Sequence, residues 1–228
     1  MKKLSFIYVL LAGALVISSC KKEEPIDNGG LTANDTTSNG TPSGSDLNAF
    51  VNNNIANATQ TFTIDASNPA LITGAKGTKI QFYNGQFQTM SGDAVTSGNI
   101  DIALIAIFDK KDMILLNKQT LGEHQDGTKE VLISGGEFKI TASQNGQPLQ
   151  LTNGSSYEVT VPAPNGVNPN MELFTGDNSS DTMIWTEVDS SSIWGQGNEY
   201  NCFFDNLNWV NCDYFMDYGV QMSDIQIE

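Results

Sequence analysis

The chain has 228 residues and a formal net charge of −15, from 26 acidic residues and 11 lysines with no arginine. Residues 140–228 contain twelve acidic residues and no basic one, so nucleic acid and anionic lipid surfaces would be repelled by this half of the chain. Without arginine, bidentate capture of phosphate or carboxylate is also excluded. The charge therefore favours cations, or neutral polymers such as glycans, as partners.

The start of the chain has the layout of a secretory signal. Two lysines precede the apolar run 6–17, and two serines come directly before Cys20. The run is too short to cross about 30 Å of hydrocarbon as a helix. A buried helix or strand is the alternative, but it explains neither the basic start nor the abrupt change at Cys20. We therefore predict that residues 1–19 are a cleaved signal peptide.

The residues around Cys20 resemble a known attachment signal. Ile17-Ser18-Ser19-Cys20 is similar to the lipobox of bacterial lipoproteins, with isoleucine where that family more often has leucine. The resemblance implies a diacylglycerol on the Cys20 thiol and an acyl chain on the new amino terminus; a free or disulfide-bonded cysteine is the alternative. Such chains anchor a protein because each buried methylene contributes about 0.8 kcal/mol.

The sequence "CKKEE" that begins at Cys20 resembles the signal that sends many Bacteroidota lipoproteins to the cell surface. The resemblance implies an outer-membrane lipoprotein, anchored by its lipid and exposed at the surface. A charged, solvated tether is the alternative interpretation of the same residues.

Residues 20–58 are predicted to form a flexible linker after the lipidated cysteine. Between residues 28 and 48 only three residues are apolar, and such a stretch cannot bury enough surface to offset its ordering entropy. The best helix candidate lies near residues 48–57, although its asparagines are poor helix formers.

Residues 59–228 have the pattern of an all-β domain. Short apolar runs alternate with Gly, Asn, Asp and Pro, and no segment has helical length and period. About 170 residues of this texture predict a single β-sandwich-like domain. The nearly continuous apolar run 100–108 is the predicted central strand. Asn145-Gly146 is a strong hairpin signal that predicts three pairs, namely Gln144–Gln147, Ala142–Leu149 and Ile140–Leu151.

Two further cysteines lie near the end of the domain. A hairpin centred on Leu207 would place Cys202 opposite Cys212, and a disulfide is then plausible outside the cytoplasm. Two buried thiols are the alternative. A zinc site is not indicated, because two cysteines nine residues apart without a nearby histidine lack the ligand spacing.

Two loop motifs are weak candidates for chemistry. "GDNSSD" places Asp177, Ser179 and Asp181 at alternate positions, as in a calcium loop, but Gly and Glu are missing where an EF-hand has them. An Asx turn is the simpler interpretation. His124, the only histidine, could act as a general base, but no nucleophile motif accompanies it, which favours a solvated loop.

The acidic region that follows contains all three tryptophans. Trp185, Trp194 and Trp209 could form a ligand face, because aromatic rings beside acids are typical of sugar-binding surfaces. A sandwich core with a solvated exterior would use the same residues. The carboxylates between residues 187 and 217 could instead supply the pair that a glycan hydrolase needs.

The folded part also resembles a group of β-rich lipoproteins from Bacteroidota that have no assigned activity. The resemblance rests on "GNIDIALIAIFDKKDMILLNKQT", "LISGGEFKITASQNGQPLQL" and "LNWVNCDYF" and implies an exported β-rich domain. The sequence thus predicts a non-enzymatic, lipid-anchored binding or structural module for a glycan or a surface protein. A carboxylate-based glycan hydrolase and a calcium-stiffened adhesion module are the alternatives.

Overall fold

The computed structural model describes residues 43–177, 183–188 and 193–216, which form two β-sheets and two α-helices. The fold is mostly β, as the strand pattern predicts. In chain order the elements are α1 (Gly44–Ala58), β1 (Gln60–Asp65), β2 (Ala70–Thr73), β3 (Lys79–Phe82), β4 (Phe87–Thr89), β5 (Asn99–Ile107), α2 (Lys110–Leu115), β6 (Leu121–Glu123), β7 (Lys129–Gln144), β8 (Gln147–Leu151), β9 (Tyr157–Pro162), β10 (Glu172–Asp177), β11 (Ile184–Glu187), β12 (Ile193–Gln196), β13 (Glu199–Phe204) and β14 (Asn208–Phe215).

The larger sheet has nine strands in the order β1-β5-β7-β14-β10-β11-β6, with β8 and β4 attached beside β7. The strand β5 pairs with β1 on one side and with β7 on the other, which confirms the predicted central strand. The Asn145-Gly146 turn joins β7 to β8, and both residues have positive φ. Two of the three predicted hairpin pairs are confirmed, namely Ala142–Leu149 and Gln144–Gln147, and the β7–β8 ladder stops before the third.

Part of the larger sheet closes on itself. The strand β6 pairs with both β11 and β7, so that β7, β14, β10, β11 and β6 form a five-stranded barrel. The bend that permits closure lies in β7, where Gly135 has no partner across β14 and Gly136 has φ +151°. Such a bulge redirects a strand and increases its twist. This barrel departs from the two open layers of the predicted β-sandwich.

The smaller sheet has five strands in the order β12-β13-β9-β3-β2 and packs one face against the larger sheet. One hydrophobic cluster contains buried residues of both sheets, including Ile80 and Val159 from the smaller and Ile102 and Leu104 from the larger. A second cluster fills the barrel and its flank, with Trp185, Trp209, Phe174 and Leu132 among its members. The opposite face of the smaller sheet points towards solvent.

The helix α1 lies inside the range 20–58, so the linker prediction is wrong for residues 44–58. Ser43 and Asp46 form a capping box, which satisfies the first free backbone amide groups. Ile55 and Ala58 pack against the second hydrophobic cluster, and the Asn54 side chain donates to the Leu115 carbonyl at 3.1 Å. Among the described residues, no helix is long and apolar enough to cross a bilayer.

The hairpin predicted around Leu207 is also wrong, because β13 and β14 belong to different sheets. Cys202 pairs with Val159 on β9, whereas Cys212 pairs with Gly136 on β7. Both are buried free thiols in the cluster shared by the two sheets. Burial raises the pKa of both thiols, so neither is activated as a nucleophile at neutral pH.

Candidate functional site

The outward face of the smaller sheet exposes two aromatic rings side by side. In β13 the side chains of Cys202 and Phe204 point into the core, so Phe203 between them points outward. Trp194 on the neighbouring β12 is 43% exposed and Phe203 is 37% exposed, and their ring centroids are 5.8 Å apart at an interplanar angle of 37°. This pair offers an apolar platform to solvent.

Polar side chains extend the platform across the sheet. Glu158 on β9 pairs with Phe203, and its Oε2 accepts a hydrogen bond of 3.2 Å from the Tyr83 hydroxyl. Burial and the nearby Glu158 carboxylate raise the pKa of Tyr83, so its hydroxyl stays protonated at neutral pH. The Thr160 hydroxyl lies 3.0 Å from the Asn201 Oδ1 on the same face. We call these residues the aromatic face; its members are Tyr83, Glu158, Thr160, Trp194, Asn201 and Phe203.

The other two tryptophans do not contribute to this face, so the predicted ligand face of three tryptophans is wrong. Trp185 is fully buried and Trp209 is 2% exposed; both lie in the barrel, in edge-to-face contact at 6.4 Å. The Trp185 indole N–H donates to the Gln119 carbonyl at 3.0 Å. Gly176 permits this packing, since a Cβ there would lie 2.8 Å from both Trp185 and Trp209. These two rings stabilise the core and are closed to ligands.

A second polar cluster lies inside the barrel and was not predicted. Glu137 on β7 and Asn211 on β14 are directly opposite, and Asp213 follows Asn211 on the same face. All three are fully buried. The Asp213 carboxylate accepts from the Asn211 amide at 2.6 Å and from the Gly135 N–H at 3.1 Å. The Glu137 carboxylate has no hydrogen-bond partner among the described residues.

Both buried carboxyls are shifted towards the protonated form. Burial, followed by the negative charge of Asp213, raises the pKa of Glu137 to about 8, while the Lys118 ammonium lowers it. Burial also raises the pKa of Asp213 to about 7. Hydrogen bonds to its carboxylate, including the one from the Asn211 amide, lower this pKa but do not cancel the effect of burial. Both carboxyls are fully buried, so the pair is not presented to a substrate.

The carboxylates predicted for hydrolysis are dispersed. Glu199 forms an ion pair of 2.8 Å with Lys79 on the outward face of the smaller sheet, and Glu187 ends β11. Asp205 lies in the exposed turn after β13. Asp189 and Asp217 lie outside the described residues. The structure therefore brings no two of these carboxylates together in a cleft within the part of the chain that it describes.

The candidates for lipidation, calcium binding and general-base chemistry are taken from different parts of the chain. Cys20, Ser179 and Asp181 lie outside the described residues, and Asp177 is the last residue of β10. No group of three or more His, Cys, Asp or Glu side chains that could hold a metal ion occurs in the described ranges. His124 follows β6 and stacks on Phe215 with ring centroids 3.6 Å apart, an environment that suits packing.

The sequence pattern of β13 separates the side chains of the aromatic face from the buried ones, but only strand pairing shows which set is exposed. In "EYNCFF" the alternation of Tyr200, Cys202 and Phe204 marks one face, so Phe203 belongs to the other. Which of the two faces is buried depends on the partner sheet. Glu137 gave no comparable signal, because a lone acid after two glycines is usually solvated.

The chain matches no protein-family model, and no curated protein matches it significantly.

Proposed function

We propose that the protein is a lipid-anchored cell-surface lipoprotein whose aromatic face binds a neutral glycan. The observation that supports binding is the exposed Trp194–Phe203 pair beside hydrogen-bonding side chains. Sugar rings carry apolar C–H faces that pack on aromatic rings, while their hydroxyls need donors and acceptors. Glu158, Asn201 and the Tyr83 hydroxyl supply both within reach of the platform.

The charge of the face favours a neutral ligand over an anionic one. Lys79, on the same outward side of the smaller sheet, forms an ion pair of 2.8 Å with Glu199, so its charge is already neutralised. Glu158 contributes a negative charge close to the rings. An anionic polymer would therefore lose more by repulsion than it gained from the aromatic contacts.

The shared hydrophobic cluster suggests that the two sheets act together as a sandwich-like support for the face. We propose that the anchor is a diacylglycerol on Cys20 with an acyl chain on its amino group, in the outer membrane and facing outward. This part of the proposal rests on the resemblance of residues 17–24 to lipoprotein signals. Residues between Cys20 and α1 would then separate the domain from the membrane.

Glycan binding is tested on an array of neutral polysaccharides, followed by titration of the best ligand. Trp194→Ala and Phe203→Ala should each weaken binding about tenfold, since aromatic contacts of this kind contribute about 0.5–1.5 kcal/mol beyond area burial. Met90→Ala is the matched control, because Met90 is 63% exposed and follows β4, a strand of the larger sheet. Undiminished binding by Trp194→Ala would show that the face is not the site. Release of reducing sugar on the same panel would instead support the hydrolase alternative.

The anchor is tested independently by fractionation. Cys20→Ser should lose acyl labelling and leave the membrane fraction, because the thiol is the atom that receives the diacylglycerol. An unaltered protein that takes up no acyl label, or a Cys20→Ser variant that keeps its label and its place in the membrane fraction, would refute lipid attachment at Cys20 while leaving the glycan proposal intact.

A further inference from the structure

A groove lies between α2 and the first half of β7, on the larger sheet. Its volume is about 710 Å³, within the roughly 300–1,000 Å³ range of small-molecule sites. Apolar side chains form most of the lining, namely Phe108, Met113, Ile114, Val131, Leu132 and Met216. Ile114 is 77% exposed and Val131 is 40% exposed, so two branched aliphatic side chains face open solvent.

The lysine Lys118 lies in the same groove with its ammonium group half-buried. Its Nζ lies 4.8 Å from the centroid of the Trp209 ring. Burial, followed by the positive charge of Lys139, lowers the pKa of Lys118. Within the described ranges no carboxylate oxygen forms an ion pair with this ammonium. Glu137 is close enough to act on it electrostatically but does not contact it.

Two lysines line the groove and two more lie near it. Of the seven lysines in the described ranges, Lys110 and Lys118 line it, Lys111 lies on the same helix, and Lys139 lies 5.7 Å from the Trp209 centroid. The acidic residues of this region are already engaged, since Lys76 forms ion pairs with Asp109 and Asp112. The groove therefore combines an apolar wall with uncompensated positive charge.

We propose that this groove binds a single-chain aliphatic carboxylate, with its head on Lys118 and its alkyl chain along Ile114, Val131 and Met113. A carboxylate would supply the counter-charge that the half-buried ammonium lacks. The alkyl chain would cover exposed apolar area, at roughly 25 cal/mol per Å². Charge complementarity selects this occupant over a cationic or neutral chain of the same length, and the site is separate from the aromatic face.

The test is titration of the full-length chain carrying Cys20→Ser with dodecanoate below its micellar concentration. We expect saturable binding that Lys118→Gln weakens at least tenfold and that Lys118→Arg restores. Lys111→Gln is the matched control, because Lys111 lies on α2 beside the groove but outside its lining. Dodecanoate that associates with the apolar run 6–17 does so independently of Lys118. The ratio of the dissociation constants of the variants therefore reports binding in the groove.

Two further measurements distinguish the contribution of the ligand's head group from that of its alkyl chain. Dodecyltrimethylammonium should bind at least tenfold more weakly than dodecanoate, and Ile114→Ser should weaken dodecanoate binding without changing the circular dichroism spectrum. Equal affinity for the cationic amphiphile, equal affinity of Lys118→Gln, or no saturable binding at all would overturn the proposal.

Discussion

Glu137 lies in an energetically unfavourable environment. Its carboxyl is fully buried in the barrel, faces Asn211 and Asp213, and has no hydrogen-bond partner among the described residues. An unpaired buried carboxylate is strongly unfavourable, so the group is held in its neutral form. The charged groups that act on it are Asp213, which favours protonation, and Lys118, which opposes it.

These buried acids predict that stability falls as pH rises. The pKa values of Glu137 and Asp213 in the folded protein are about 8 and about 7, above their ordinary values of 4.5 and 3.8. Between these limits the folded state binds more protons than the unfolded state. The stabilisation is complete below the unfolded values and is lost as pH rises through the folded values. The expected slope is about 1.4 kcal/mol per pH unit for each group.

Urea unfolding of the protein and of Glu137→Gln between pH 5 and pH 9 measures this slope. The variant should show a shallower decrease, because one of the two coupled groups no longer titrates. Glu199→Gln is the control, since Glu199 is only partly buried and is paired with Lys79. Identical slopes for the protein and Glu137→Gln would contradict the prediction, whatever the absolute stabilities.

At the scale of elements, the bend in β7 decides the architecture. Its second half pairs with β5, and its first half turns away to pair with β6 and close the barrel. Gly135 and Gly136 form the bend. A Cβ on Gly135 would lie 2.7 Å from the Cys212 carbonyl oxygen, which belongs to the backbone of the paired strand β14. That atom cannot move without disturbing the barrel.

We therefore expect Gly135→Ala to lower the free energy of unfolding by about 1–3 kcal/mol, the usual cost of overpacking. Denaturant unfolding at fixed pH measures the loss. Gly44→Ala is the matched control, because a Cβ at this first residue of α1 meets nothing within 4 Å. Alanine is also the better helix former, so this control should be neutral or slightly stabilising. A Gly135→Ala protein of unchanged stability would refute the steric argument.

The elements that could be predicted are those specified by local pattern. The run 100–108 and the Asn145-Gly146 turn each carry their own signal, and both were placed correctly. The helix candidate near residues 48–57 lies inside α1, but the start of the helix at Gly44 was not predicted, because its stability comes from the cap at Ser43 and from packing of Ile55. Barrel closure was missed because β6 has only three residues, too few for a pattern.

At the candidate site, too, local pattern predicts some side-chain positions, and others depend on long-range pairing. Trp194 was predicted to face a ligand and is exposed, whereas Trp185 and Trp209 have the same local composition and are buried. The difference arises from the sheet to which each strand belongs, and this depends on long-range pairing. Cys202 and Cys212 illustrate the point again, since a plausible local hairpin is replaced by pairing with β9 and β7.

For the whole molecule, the net charge of −15 is the dominant long-range term. The described part of the chain has four lysine–carboxylate ion pairs within 4.0 Å, between partly exposed side chains. Such pairs contribute roughly 0–1 kcal/mol each and cannot offset repulsion among the remaining acids. Self-repulsion in the compact state should therefore reduce stability at low ionic strength.

Raising sodium chloride from about 10 mM to about 150 mM shortens the screening length from roughly 30 Å to 8 Å, and the melting temperature should rise.

The two proposed ligands should respond differently to the same change. Neutral glycan binding at the aromatic face should be nearly unaffected, because no ion pair forms there with the ligand. Dodecanoate binding should weaken with salt if Lys118 holds its head group, and Lys118→Gln should abolish that dependence. A glycan affinity that fell steeply with salt would show that the ligand is charged and contradict its assignment as neutral.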